Sequence, residues 1–280
     1  MITVQHDSPA AFLAACGKWL EDRDVRHHGL LSLADALSIE GHIHKPPFFF
    51  LHAEDGAEVA GCAIFAEPDG LTVSEMTAEA IDSLFGKLRH VLPGNPSRVF
   101  GPRHSVREIA KRFAEVTGAE SRLHSSWNVH VLDKVPNWIP VKGQYRNCHV
   151  SDQELVRAWA REYAIEKPAT LDIEEFFIRK LENGHAYFWF DEVPRSVLTI
   201  SGVNCSGVRI SSVYTPPEYR GRGYASSLVA EATTRLLGQE KLFVTLSTET
   251  GDPVSKLYER LGYAIVGEVI SVVLTERSQS

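Results

Sequence analysis

Cysteine is scarce in this chain. Its 280 residues include four, Cys16, Cys62, Cys148 and Cys205, each isolated from the next. No C-x-x-C pair exists, so the sequence offers no support for a zinc ribbon or a redox dithiol, and buried inert thiols are expected. Long apolar runs are also missing. None approaches the roughly 20 residues that a membrane-spanning helix needs. The opening residues MITVQHDSPAAFLAAC lack the basic start of a secretory signal, so a cytoplasmic protein without membrane contact is expected. Positive charge is not in excess either. The formal net charge of −7 argues against nucleic acid as a partner, because phosphate backbones are held by basic patches. What is present is 44% hydrophobic residues, enough for the cores of one large or two ordinary domains.

One stretch stands out from this background, GVRISSVYTPPEYRGRGYASSLVAEATTRLL. Val208 to Tyr214 alternate and are rich in β-branched residues, which predicts a strand. Pro216 and Pro217 end it. From Tyr224 onward Leu228, Val229, Ala232, Leu236 and Leu237 recur with a helical period. Gly221 and Gly223 therefore fall at a strand-to-helix turn, where a ligand can approach N–H groups that the first helical turn leaves unpaired. Such a turn suits an anion, and Arg220 and Arg222 add positive charge beside it. A P-loop would need Lys and Ser/Thr after the last glycine, where Tyr224 and Ala225 stand. A dinucleotide fold would need an acidic residue ending the next strand, but Glu240 precedes Leu242 to Leu246.

Arg220-Gly221-Arg222-Gly223-Tyr224-Ala225 resembles the R/Q-x-x-G-x-G/A signature of the GCN5-related N-acetyltransferases (GNAT). Downstream, Asp252-Pro253 and the helix through Tyr258 to Gly262-Tyr263 resemble that family's second signature. Asp252 stands where the family has asparagine, and Tyr258 follows it by six residues, not seven. The resemblance implies a mixed α/β (α+β) fold, a mostly antiparallel central sheet flanked by helices, the acyl-CoA N-acyltransferase fold. It also implies acetyl-CoA as cosubstrate, with the pyrophosphate at Arg220, Gly221, Arg222, Gly223, Tyr224, Ala225 and Ser226. The pantetheine arm would lie along Val213, Tyr214 and Thr215, near Ser255 and Tyr258. Tyr258 is then the acid for the departing thiolate, and Glu218 and Glu249 are available to take the amine's proton.

Earlier in the chain, Ala10 to Leu20 and Gly29 to Ser38 read as helices. Phe48 to Leu51 with Val59 to Phe65 reads as a hairpin, followed by a strand at Leu71 to Val73, a helix at Thr77 to Leu92, a strand at Ser97 to Phe100 and a helix at Ser105 to Thr117. Ser105 with Glu108 offers a capping box, as does Ser151 with Glu154 farther on. This order echoes the C-terminal half, so the fold is expected in tandem, with residues 1–138 a degenerate copy or another α/β domain and 139–280 the acetyltransferase domain. In the first half, Leu71 to Ala80 contains no arginine-and-glycine phosphate turn. His27, His28, His42 and His44 cluster there, but with no set of four ligands no metal is expected. Trp159, Tyr163, Phe176 and Phe177 face either core or acceptor.

The function implied is N-acetyl transfer from acetyl-CoA to a primary amine, small molecule or peptide, by direct attack in a ternary complex within a monomer or homodimer. The alternative is a non-catalytic acyl-CoA-binding or regulatory module.

Overall fold

The computed structural model describes residues 1–22, 24–38, 44–167, 172–202, 206–239 and 241–275. His42, Leu171, Asn204, Cys205 and Glu240, and the side chain of His28, lie outside the described residues. Two compact units form, Met1–Val129 with Val266–Ser280, and His130–Ile265. The division drawn from sequence was 1–138 and 139–280; here the first unit ends at Val129, and the residues from Val266 onward return to it.

The first half runs β1 (Ile2–His6), α1 (Pro9–Glu21), α2 (Asp24–Leu37), β2 (Lys45–Asp55), β3 (Glu58–Glu67), β4 (Gly70–Val73), α3 (Ala78–Val91), β5 (Arg98–Pro102), α4 (Arg103–Thr117) and β6 (Glu120–Leu132). The second runs β7 (Gln144–Asn147), α5 (Gln153–Glu166), α6 (Ile173–Glu182), β8 (Ala186–Asp191), β9 (Val193–Ser201), β10 (Gly207–Tyr214), α7 (Tyr224–Leu237), β11 (Phe243–Glu249), α8 (Ser255–Arg260) and β12 (Ala264–Thr275). Both halves repeat one order of strands and helices.

In the first unit β1, β2, β3 and β4 pair antiparallel, and β4 pairs parallel with β5. The place beyond β5 is taken by β12, from Val269 opposite Pro102 to Val273 opposite Arg98. Ile270, Val272 and Leu274 of that strand are buried with Leu84, Leu88, Ile109 and Phe113 of α3 and α4. The first turn of α3 forms because Thr77 Oγ1 accepts the Ala80 N–H at 3.4 Å, and its apolar residues at helical spacing then face the sheet. In the second unit β7, β8, β9 and β10 are antiparallel and β11 joins β10 in parallel. On one face Leu228, Val229, Ala232 and Leu236 of α7 pack on Val208, Ile210, Val244 and Leu246. Trp159, Phe177, Phe188, Val197 and Tyr214 form the core on the other, so Trp159 and Phe177 are core residues, while Tyr163 and Phe176 are partly buried against them.

Both capping boxes read from sequence are corrected. Helix α4 starts at Arg103 after Pro102 with no side-chain cap, because Ser105 is turned inward and its Oγ accepts the Met76 N–H at 3.1 Å. Ahead of α5 a 3-10 turn spans Val150–Asp152. Asp152 there accepts the His149 N–H at 2.8 Å and pairs with Arg146 at 2.9 Å, so the box is His149 with Asp152, not Ser151 with Glu154. Strand β1, too short and too polar to declare itself, was not expected.

Candidate functional site

Strands β10 and β11 begin together and then part. Their ladder holds three pairs, Gly207–Phe243, Val208–Val244 and Arg209–Thr245, yet β10 continues to Tyr214 and β11 to Glu249. Against β9 the register of β10 shifts between Ser211 and Tyr214, and Ser212 takes φ +48°. An unpaired residue of this kind bends a strand and increases its twist. The backbone of β10 beyond Arg209 is thereby left with an edge that its parallel partner no longer covers, and backbone groups need partners.

At the end of β10 the chain turns through a 3-10 segment, Pro217–Tyr219, into Gly221 at φ +73° and Gly223 at φ +83°. Both lie in the left-handed region, where a side chain is strained and glycine is not. Open space surrounds Gly221, with no atom within 4 Å of where a Cβ would stand. At Gly223 a Cβ would meet Val141 Cγ1 at 2.9 Å. Helix α7 has no side-chain cap, and the first bond into it runs from Ser227 N–H to Gly223 C=O at 2.9 Å. Among the described residues, the N–H groups from Gly221 to Ser226 have no protein acceptor. A glycine turn opening onto an uncapped helix is a site for an anion.

The two arginines divide their work. Arg220 donates from Nε to the Thr215 carbonyl at 2.8 Å and from Nη2 to Glu166 at 2.6 Å, with its guanidinium 5.7 Å from the centre of the Tyr214 ring. It ties the turn back to the strand end. Arg222 is exposed and leaves its charge available to a ligand. Tyr214 itself is buried, its hydroxyl donating to Glu162 at 2.8 Å and its carbonyl accepting from Ser196 at 2.9 Å. Thr215 Oγ1 donates to Ser196 at 2.8 Å. Tyr224 is buried with its hydroxyl 3.2 Å from Asp191. Val213 and Ala225 are partly exposed and Ser226 is buried.

Tyr258 stands in the core of the second unit. Its ring lies 5.9 Å from that of His130 and 6.2 Å from that of Tyr263, and its hydroxyl has no hydrogen-bond partner among the described residues. Burial pushes its pKa well above the ordinary phenol range, so the hydroxyl holds its proton. Ser255 Oγ is 3.1 Å from Glu259 and 3.4 Å from His130 Nε2. Glu218 is exposed in the 3-10 turn, and Glu249 is exposed at the end of β11, beside the 2.6 Å pair of Lys167 with Asp252. Neither glutamate is brought to Tyr258 by a described contact.

Three residues escaped the sequence reading. His130 is fully buried, its Nε2 2.9 Å from Thr248 Oγ1 and its Nδ1 without a partner among the described residues. Arg209 lies near Tyr163 with its Nε buried and unpartnered among those residues. Glu162 is the carboxylate that holds the Tyr214 hydroxyl. None sits in a local motif; strand alternation around Val208 and Ile210 was the one available hint that Arg209 faces the opposite side.

The corresponding turn of the first unit, between β4 and α3, is closed. Ser74 N–H donates to Cys62 C=O at 2.9 Å, Glu75 N–H to His27 Nε2 at 3.1 Å and Met76 N–H to Ser105 Oγ at 3.1 Å. Strand β5 stays against β4, for a Cβ at Gly101 would stand 2.3 Å from the Val73 carbonyl oxygen.

The family profile of FR47-like proteins matches residues 203–270, which includes β10, the glycine turn, α7, β11 and α8. The comparison with curated proteins gave no match. Among solved structures, a Drosophila protein superposes with a TM-score of 0.69 at 14% identity, covering 99% of both chains. A GNAT-family acetyltransferase from Colwellia psychrerythraea gives 0.58 at 11% identity over 99% of this chain and 100% of its own. A tandem GNAT protein from the clavulanic acid biosynthesis pathway gives 0.56 at 12%, with 99% of each covered. The chain thus has the GNAT acyl-CoA N-acyltransferase fold, a mixed sheet flanked by helices and repeated in tandem.

Proposed function

We propose that the C-terminal unit binds acetyl-CoA and transfers its acetyl group to a primary amine by direct attack in a ternary complex. The observation that carries this reading is the uncapped, glycine-opened start of α7 beside the parted strands β10 and β11. The open space at Gly221 and the unpartnered N–H groups from Gly221 to Ser226 fit a pyrophosphate, with Arg222 adding charge. The edge of β10 that β11 leaves uncovered beyond Arg209, running toward Val213, fits an amide-bearing arm taken up as an added strand, while the Tyr214 and Thr215 carbonyls are held by Ser196 and Arg220. Acetyl-CoA supplies an activated thioester; the protein supplies placement, which replaces much of the entropy lost in a bimolecular encounter. A backbone N–H at Tyr214 or Thr215 faces the oxygen on which charge grows. Tyr258, kept protonated by burial, donates to the departing sulfur. Glu162, exposed like Glu218 and Glu249 but held at the end of β10 by the Tyr214 hydroxyl, is the first choice for receiving the amine's proton.

The test is thermal stabilisation by acetyl-CoA followed by thiol release across a panel of amines. Saturable stabilisation with amine-dependent release supports the proposal. Stabilisation without release for any amine class favours a binding or regulatory module, for which the exposure of Glu218 and Glu249 is the supporting observation. No stabilisation removes the coenzyme reading altogether.

A further inference from the structure

In the first unit, four sulfur and nitrogen donors far apart in sequence converge on one sheet face. His52 of β2 is paired in register with Val4 of β1 on one side and Cys62 of β3 on the other. Directly opposed residues share a face of a sheet, and His6 lies two residues beyond Val4, so His6, His52 and Cys62 project to the same side. Leu51, Ala53 and Ala63 project to the other and join the apolar core. Helix α1 covers the first side, with Phe12 packed 6.0 Å from Phe50 and Cys16 one turn farther along. The result is that His6, Cys16 and His52 hold their ligand atoms within 4.8 Å of one another, and Cys62, opposite His52 in register, faces the same side.

We propose that this cluster is a zinc-type metal site, with His6 Nε2, His52 Nδ1 and Cys16 Sγ as ligands already gathered and Cys62 Sγ, on the same sheet face, turning in as the fourth. Two nitrogens and two sulfurs are the donor set that a tetrahedral d10 cation prefers, and bonds of about 2.0–2.3 Å put ligand atoms roughly 3.3–3.6 Å apart. His6 Nε2 and His52 Nδ1 stand 2.8 Å apart, so a movement of about half an ångström between them admits the ion at the tetrahedral spacing. A second, independent feature points the same way. The far nitrogen of His52, Nε2, is 3.2 Å from Glu54 Oε2, the carboxylate partner that orients a metal-binding imidazole and sharpens its basicity. The two thiols and His52 are buried, whereas His6 is partly exposed on its edge strand and gives the ion a way in.

The spacing 6, 16, 52 and 62 forms no sequence motif. Four separate elements bring the ligands together, which is why the cysteines read as inert from the sequence.

The test uses the full chain without a histidine tag, kept reduced, stripped with a chelator and titrated with Co²⁺. The expected result is one equivalent bound, with visible bands of a tetrahedral ion and a thiolate-to-cobalt charge-transfer band in the near ultraviolet, both erased by Zn²⁺. Cys16→Ser removes much of the charge-transfer band, and His6→Ala, at the partly exposed edge, weakens binding while the circular dichroism stays native. Glu54→Gln weakens Co²⁺ binding about 10–100-fold. Absence of a charge-transfer band in the stripped wild-type protein, or a band unchanged by Cys16→Ser, overturns the proposal. The readout is independent of acetyl-CoA, so failure of the acyl-transfer reading leaves it untouched.

Discussion

The two halves run through the same order of elements, yet one offers an anion a berth and the other does not. In the first unit the N–H groups between β4 and α3 are taken up by Cys62, His27 and Ser105, and Thr77 caps the helix. In the second, Gly223 occupies the cap position with no side chain to offer, and no described residue accepts the N–H groups from Gly221 to Ser226. The strands differ in the same sense. β4 and β5 stay together to the end of β4, where Gly101 meets Val73, while β10 and β11 separate after three pairs. A fold of this kind becomes a site by leaving hydrogen-bonding groups unpaired at one turn, and it becomes scaffold by filling them.

The sharpest way to break the comparison is to place a carboxylate in the open turn. Gly221→Glu meets no atom near its Cβ, so the fold bears only the left-handed strain of about 1–2 kcal/mol. A like charge about 4 Å from a phosphate costs about 4 kcal/mol at an effective dielectric near 20. Acetyl-CoA binding measured by calorimetry should weaken by about 100-fold or more. The reciprocal change in the closed turn, Thr77→Ala, removes a helix cap. It should lower stability by about 1 kcal/mol and leave acetyl-CoA affinity unchanged.

Tyr258→Phe comes next in size. The hydroxyl has no described partner, so its removal should leave the denaturation midpoint close to that of the wild type. A proton donor to the leaving group contributes about 100-fold at the lower end of such effects. Steady-state kinetics should show kcat reduced by about that factor with KM for acetyl-CoA held. A raised KM with kcat held would mean that the hydroxyl acts in binding instead.

How much of this was legible in the sequence follows from what is local and what is not. The glycine turn, the strand before it and the helix after it were readable from Val208 to Leu237 because glycines, prolines and apolar period all lie within one window. The second signature around Tyr258 was readable for the same reason. The tandem order emerged from the alternation of periods in residues 10–117. The role of Arg220 was not readable, since its partner Glu166 is 54 residues away, and neither was the place of β12, whose partner β5 lies more than 160 residues earlier. Ser105 had the right spacing for a cap and went instead to Met76, because a buried N–H across the core outcompetes a local bond that water can replace.

The closing of the first unit by β12 gives a third test, by pH. Arg103 and, less strongly, Ser126 hydrogen-bond Glu268 and lower its pKa to about 2. A carboxylate depressed in the folded state contributes stability above its unfolded value near 4.3, and that contribution is lost as pH falls from about 5 toward 2. Glu268→Gln should therefore be less stable than the wild type at pH 7 in urea denaturation. The gap should narrow at pH 3. Equal gaps at both values would show that the pair does not hold the strand.

The smallest effect separates the two arginines of the open turn. Arg220 and Glu166 form an exposed pair, 45% and 41% accessible, and such pairs contribute about 0–1 kcal/mol. Arg220→Ala should lower stability by no more than that and raise KM for acetyl-CoA about two- to fivefold, because the guanidinium braces Thr215 and meets a ligand only through its field. Arg222→Ala removes an unneutralised charge beside the pyrophosphate site, so its effect on KM should exceed that of Arg220→Ala and should shrink as salt is raised from 20 to 300 mM, a range over which the screening length falls from roughly 20 to 6 Å. If instead Arg220→Ala proves the more damaging and the more salt-sensitive, the Glu166 pair opens when the coenzyme arrives, and the open turn of the second unit is completed by its ligand in the way that His27 and Ser105 complete the closed turn of the first.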